Sequence, residues 1–183
     1  MKNNLITYSL NNDSNEDIYT NLYSNYQIEL YDIIRYYIEI CIDYVDNELL
    51  IDNCNKFINN IIENYLLNNK RNENDNIIIV NLLLNIDDML IDNKNMYQIM
   101  GYLLYSLINY EIYKIEDLNN FIGKENNTLI NIAIIIKYII IYCNKDYVGE
   151  DYKLKILDEF KQTDLFKSNI ELFDIYVIND LLL

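Results

Sequence analysis

The sequence predicts an all-α protein, a compact bundle of seven or eight helices around a central apolar helix. Stripes of Ile, Leu and Tyr at the i, i+3, i+4 and i+7 spacing of one helix face run nearly from end to end. The 183 residues include no Pro and only three Gly, so the strongest interrupters of a helix are almost absent. No hairpin turn or partner strand argues for a sheet. With 51% hydrophobic residues and a mean hydropathy of -0.09, the composition is that of a soluble globular chain with enough apolar surface for a core. At 22.0 kDa, one domain is the expectation.

Residues 1–25 are polar, Asn-rich and without a sustained period, and are expected to form a flexible N-terminal arm before a single helical domain over 26–183. The first helix carries Leu30, Ile34, Tyr37, Ile38, Cys41, Ile42 and Val45 on one face. The second is expected to start at Asp52 or Asn53 as N-cap and to bury Phe57, Ile58, Ile61, Ile62, Tyr65 and Leu66. A polar run from Asn68 to Asn76 separates it from Ile77 to Leu90. That stretch is apolar on more than one side and opens on β-branched residues that also suit a strand, but without a partner strand helix is preferred.

Met96, Ile99, Met100, Leu103, Leu104, Leu107 and Ile108 make the cleanest stripe, with Asn93 or Asn95 as its cap, and predict the central helix. A short segment from Ile115 to Phe121 stops at Gly123, a C-terminal cap position. Thr128 is the expected cap of Leu129 to Tyr142, whose apolar residues surround the axis as in a helix buried on most sides. Gly149 separates this run from a final pair, 150–160 with Ile156, Leu157 and Phe160 on its stripe, and 168–182 with Leu172, Phe173, Tyr176 and Val177. The unequal spacing between stripes argues against a solenoid.

The chain has no His, and imidazole is the commonest general base and a usual ligand of zinc and iron. No enzyme activity, cofactor or metal site is therefore expected. Cys41, Cys54 and Cys143 form neither a CxxC pair nor a disulfide framework, which points to core packing in a reducing compartment. The adjacent carboxylates Asp87-Asp88, Glu116-Asp117, Glu150-Asp151 and Asp158-Glu159 do not converge, because i and i+1 on a helix face different ways. Asn11, Asp13, Asn15 and Asp17 alternate like a calcium loop, but Glu16 stands where the turn needs Gly and Leu22 where it needs a bidentate Glu. Glycines only at 101, 123 and 149 leave no phosphate-binding loop.

Acidic residues number 29 against 14 basic, a net charge of -15 that repels phosphate backbones and anionic lipid heads. Nucleic acid and membrane-surface partners are not expected. The polar start carries no signal-peptide pattern. The most apolar run, Leu129 to Tyr142, is interrupted by Lys137 and is shorter than the roughly 20 residues of a spanning helix, so no membrane insertion and a cytoplasmic location are expected. The use of Asn, Ile, Tyr and Asp, with Ala133 the single Ala, looks like drift in an AT-rich genome, and 19 Tyr belong to that bias. Tyr102, Tyr105 and Tyr113 nevertheless fall largely off the central stripe and Tyr110 closes its last turn. These four are the candidate protein-interaction residues, because amphipathic rings are favoured at interfaces; the alternative is that they cover the edge of the core.

The segment Met96-Tyr97-Gln98-Ile99-Met100-Gly101-Tyr102-Leu103-Leu104 is similar to the central helix of the poxvirus family with a Bcl (B-cell lymphoma) type helical fold, where an apolar-Gly-apolar step allows close helix packing. Tyr31 to Ile38 resembles that family's first helix and Cys54 to Tyr65 its second, and the order of elements agrees from Leu30 to Tyr142. The resemblance implies a Bcl-like arrangement with Met96, Ile99, Met100, Gly101, Leu103 and Leu104 as central-helix packing residues. It also implies a non-enzymatic viral protein in the host cytoplasm that binds host signalling or apoptotic proteins and inhibits innate immune signalling. A homodimer through an exposed helix face is compatible with this reading. The apoptosis-blocking branch presents an Arg beside the central Gly and often ends in a membrane anchor. Here Tyr102 follows Gly101 and no anchor is apparent, so capture of death-motif helices in a groove is the alternative. A further alternative is a scaffold of paired helices resembling translation initiation factor domains, which Leu82 to Ile122 would suit.

Overall fold

Apolar residues at helical spacing become helix throughout the part of the chain that the computed structural model describes: residues 30–43, 52, 55, 56, 58–60, 62, 63, 95–145 and 149–178. No strand occurs among the described residues. The expected arm over 1–25, the polar run at 68–76 and the expected helix at 77–90 lie outside them. The chain forms two compact units, Met1–Ile79 and Val80–Leu183.

In the first unit, helix α1 spans Leu30–Asp43. Ile34, Tyr37, Ile38 and Cys41 are buried at the predicted spacing, while Arg35 and Asp43 point to solvent. Arg35 lies 3.9 Å from Glu39 one turn on, an exposed pair worth a few tenths of a kcal/mol. The described positions from 52 to 63 are helical, with Ile58 and Ile62 buried as the stripe requires. Asp52 is itself helical, so it is not the cap expected of it. Asn55 is buried on this apolar face because the Tyr37 hydroxyl donates to its Oδ1 at 2.5 Å, satisfying two polar groups at once.

The second unit holds helix α2 (Asn95–Asn109), a 3₁₀ helix (Ile115–Phe121), α3 (Asn126–Lys145), α4 (Gly149–Gln162), α5 (Asp164–Ser168), α6 (Ile170–Phe173) and a π-helical turn (Asp174–Ile178). Three partner points fix how α2 and α3 lie together. The Tyr97 hydroxyl donates to Asn131 Oδ1 at 2.6 Å, Gly101 faces Ile135 and Tyr138, and the Tyr102 ring meets that of Tyr142. Both series of numbers rise together, so the two helices run in the same direction, and the 3₁₀ segment is the return leg between them. Helix α4 packs on α3 and on that leg.

The α2–α3 crossing depends on Gly101. A Cβ there would strike Cβ of Tyr138 and sit 3.2 Å from the Ile135 carbonyl oxygen, so the backbones approach more closely than any side chain permits. Helix α3 is longer than the apolar run read from the sequence. Its 18 residues Asn126–Cys143 have a mean hydropathy of 1.5, long and apolar enough to cross a bilayer, and half of them are buried inside the protein.

Several boundaries differ from the expected ones. Asn95 is the first helical residue of α2 and not the cap before it. Thr128 lies inside the first turn of α3, which starts at Asn126 and closes with Leu129 N–H donating to Glu125 O at 3.1 Å. Gly149 opens α4 instead of separating it from what precedes. Through residue 178 the expected last helix, 168–182, consists of Ile170–Phe173 running on into the π-helical turn Asp174–Ile178, with a break before it at Asn169 and a separate one at Thr163 ahead of α5, and both residues bond to nearby backbone. Thr163 Oγ1 donates to Phe160 O at 2.7 Å and accepts from Phe166 N–H at 3.2 Å, and Asn169 Nδ2 donates to Leu165 O at 2.9 Å.

Candidate functional site

Helix α2 is buried at consecutive positions from Ile99 to Ile108, more than two full turns, so neighbouring chain covers every side of it. Met96, Ile99, Met100, Gly101, Leu103 and Leu104 all lie in this core. The same enclosure corrects the reading of the tyrosines as exposed anchors. Tyr102 is 8% exposed, Tyr105 2% and Tyr113 1%. Only Tyr110 is half-buried. Tyr102 packs edge-on against Tyr142 at 4.9 Å and tilted against Tyr105 at 6.4 Å, the geometry aromatic quadrupoles favour in a core. A single-face stripe cannot predict this, because it assigns the other faces to solvent when a wrapped helix has none.

Past Asn109 the chain turns in a Schellman motif: Glu111 N–H donates to Ile108 O at 2.9 Å and Ile112 N–H to Leu107 O at 2.8 Å. The motif needs a left-handed residue at its C′ position, normally Gly, and here Glu111 holds φ 55°. A non-glycine residue there costs about 1 kcal/mol. Gly123, past the end of the 3₁₀ helix, takes the equivalent conformation at φ 77° without strain, as its expected cap role requires.

Beyond Glu111 the turn faces α4 across a half-open pocket of about 400 Å³, lined by Asn109, Glu111, Tyr113, Glu116, Tyr152 and Glu159 among others. The Tyr113 hydroxyl is buried with no hydrogen-bond partner. Burial, and after it the charge of Asp117, pushes its pKa far above the ordinary tyrosine value. Burial likewise raises Tyr152, with Cys143, Glu159 and Glu111 adding to it. For both hydroxyls burial is the larger cause and the neighbouring acidic groups add to it.

The carboxylates paired in sequence do separate work. Asp117 accepts from Lys114 N–H at 3.0 Å at the start of the 3₁₀ helix, and Glu159 lies 3.7 Å from Lys155. Asp87-Asp88 and the side chains of Glu150-Asp151 lie outside the described residues. Cys41 and Cys143 are buried, and Cys54 is outside the description. Among the described residues the large apolar side chains that reach solvent are Ile122, Leu154, Ile170 and Ile175. Glu111, Tyr152 and the exposed Leu154 were not singled out in the sequence. A left-handed Glu carries no composition signal, and pocket walls from segments 40 residues apart carry no local one.

The chain matches no family model, no curated protein and no solved structure.

Proposed function

We propose that this chain is a non-enzymatic protein-binding module with a Bcl-like arrangement of helices, a viral antagonist that occupies a surface on a host protein of innate immune signalling in the cytoplasm. The observation that carries this reading is the continuous burial of α2 from Ile99 to Ile108, since a helix wrapped on all sides is what a Bcl-like arrangement is built around. The glycine-dependent crossing at Gly101 favours it too. Helices α2 and α3 run in the same direction, which disfavours a scaffold of stacked antiparallel pairs. A chain without His is poorly equipped for acid–base chemistry, and a net charge of -15 turns nucleic acid away.

With the tyrosines covered, the most exposed large apolar groups among the described residues are Leu154, 54% exposed, and Ile175, 60% exposed, ahead of Ile122 and Ile170. An interface of ordinary size buries about 800 Å² on each side, and a few apolar anchors supply most of its energy. The test is affinity purification from transfected cells, followed by reconstitution of each candidate complex from purified components. A one-to-one complex lost in Leu154→Glu or Ile175→Glu, with the helical circular dichroism unchanged, is the expected result. Failure of every candidate to re-form in purified form overturns the reading. Micromolar or tighter binding of death-motif peptides moves the protein to the apoptosis-inhibiting branch, and light scattering decides the homodimer.

A further inference from the structure

Helices α4 and α5 are parted by a single residue. Helix α4 ends at Gln162, α5 begins at Asp164, and Thr163 between them is extended, at φ -63° and ψ 148°. Its φ already has the helical value, so rotation about ψ alone would carry α4 straight on into α5. That rotation strands no backbone group. Leu165 N–H, now accepted by Asn119 Oδ1 at 3.0 Å, and Phe166 N–H, now accepted by Thr163 Oγ1 at 3.2 Å, would find the carbonyls of Lys161 and Gln162 four residues back. The bent and straight forms are therefore close in local hydrogen bonding, and the Thr163 cap is what favours the bend.

In the straight form the segment cannot lie on its own body. Leu165 and Phe166, five and six positions past the buried Phe160, would leave the face that Phe160 occupies, since an α-helix turns about 100° per residue. Both are buried here, as are Phe173 and Val177 beyond them, and left in water they would cost much of what folding gains. A surface that fits them exists on a second copy of this chain, where α3, α4 and the 3₁₀ helix receive the same segment. We propose that the segment from Asp164 onward exchanges between two copies, each α4 running straight through Thr163 to deliver α5, α6 and the π-helical turn onto the other copy. Phe166 and Phe173 then pack against Phe160 of the other copy, repeating between chains the ring contacts made here within one. Exchange of this kind uses a surface already complementary to its occupant, and a hinge of one residue is of the short kind that favours it. It differs from a dimer through an exposed helix face, which leaves every segment on its own chain.

The experiment refolds the full-length chain from urea over a range of concentrations and weighs the products by size-exclusion chromatography with light scattering. A second sample, refolded from an equal mixture of ¹³C-labelled and unlabelled chains, is read by isotope-filtered nuclear Overhauser spectra. A dimer that grows with concentration, with Overhauser contacts between the Phe160 ring of one chain and the Phe166 ring of the other, is the expected result. Thr163→Ala removes the cap of the bend in both chains and should raise the association constant about thirtyfold. Four glycines inserted after Thr163 let each segment fold back on its own chain and should return the protein to monomer. A native chain that stays monomeric at the concentrations of the spectra, a dimer whose Phe160–Phe166 contacts all lie within one chain, or a dimer indifferent to both variants would each overturn the proposal. The native-chain spectra decide the matter even where a variant fails to fold. Capture of a host protein is read from a complex between different chains, so failure of the exchange leaves that reading standing, and the reverse holds.

Discussion

The α2–α3 pair and the C-terminal segment from Thr163 to Ile178 are both helical, yet they are held together by different means. The pair meets along long apolar faces, with Gly101 allowing close backbone approach, and its order follows from periodicity. The C-terminal pieces are helices of five and four residues followed by one π-helical turn, far below the length at which a helix is stable by itself. Side chains from elsewhere hold them. Phe160 of α4 packs edge-on against Phe166 at 5.3 Å and Phe173 at 5.1 Å, and Asn119 Oδ1, 46 residues earlier, accepts from Leu165 N–H at 3.0 Å. Periodicity can build the first kind of region; only tertiary contact can build the second.

The largest test of that contrast is Phe160→Ala, which removes the ring shared by both C-terminal contacts and is expected to cost about 3–5 kcal/mol. Hydrogen exchange should show amides of 163–178 losing protection ahead of those in α2. Equal loss in both regions would mean that the segment is not separately held.

Gly101→Ala strikes the pair instead, at about 1–3 kcal/mol by urea unfolding, partly offset by the better helix propensity of Ala. Tyr138→Ala should not rescue it, because Ala keeps the Cβ in the way, whereas Tyr138→Gly should recover part of the loss. Rescue by Tyr138→Ala would show that the ring, and not the backbone approach, sets the crossing.

At the end of α2, burial followed by the Asp117 charge raises the Tyr113 hydroxyl. A raised folded pKa gives stability that is full below the unfolded value near 10 and lost as pH climbs above it. Between pH 9 and 11 the native chain should therefore lose about 1.4 kcal/mol more than Tyr113→Phe does. Parallel unfolding curves for the two would place the hydroxyl in contact with water.

Thr163→Ala leaves Phe166 N–H without its cap and should cost about 1 kcal/mol, as should Asn119→Ala for Leu165 N–H. A double variant costing less than the sum would show that the two caps hold one unit. The smallest effect has the opposite sign. Glu111→Gly should stabilise by up to about 1 kcal/mol in thermal unfolding, since it frees a left-handed position from its Cβ.

Much of this architecture was legible beforehand. The stripe Ile34, Tyr37, Ile38, Cys41 is the buried face of α1, the 3₁₀ helix has the predicted bounds Ile115–Phe121, and Gly123 takes the left-handed conformation its place implied. Spacing revealed these because burial on one face and a cap residue are local properties. The start of α3 was missed by reading Thr128 as a cap, since Asn126, Asn127 and Thr128 are all residues that favour the position before a helix and composition cannot choose among them. The tyrosine site was misread for a longer-range reason: exposure of Tyr102, Tyr105 and Tyr113 depends on what else folds over α2.

By itself the sequence determined an all-α chain of strongly acidic surface without imidazole chemistry, because helical period, charge and residue inventory are fixed before anything packs. Tertiary structure alone decided that α2 and α3 run the same way, that the C-terminal stretch breaks at Thr163 and Asn169, and that Glu111, Tyr113 and Tyr152 meet around one pocket. Those outcomes rest on contacts between residues tens of positions apart, and the free energy of such contacts is written in no local pattern.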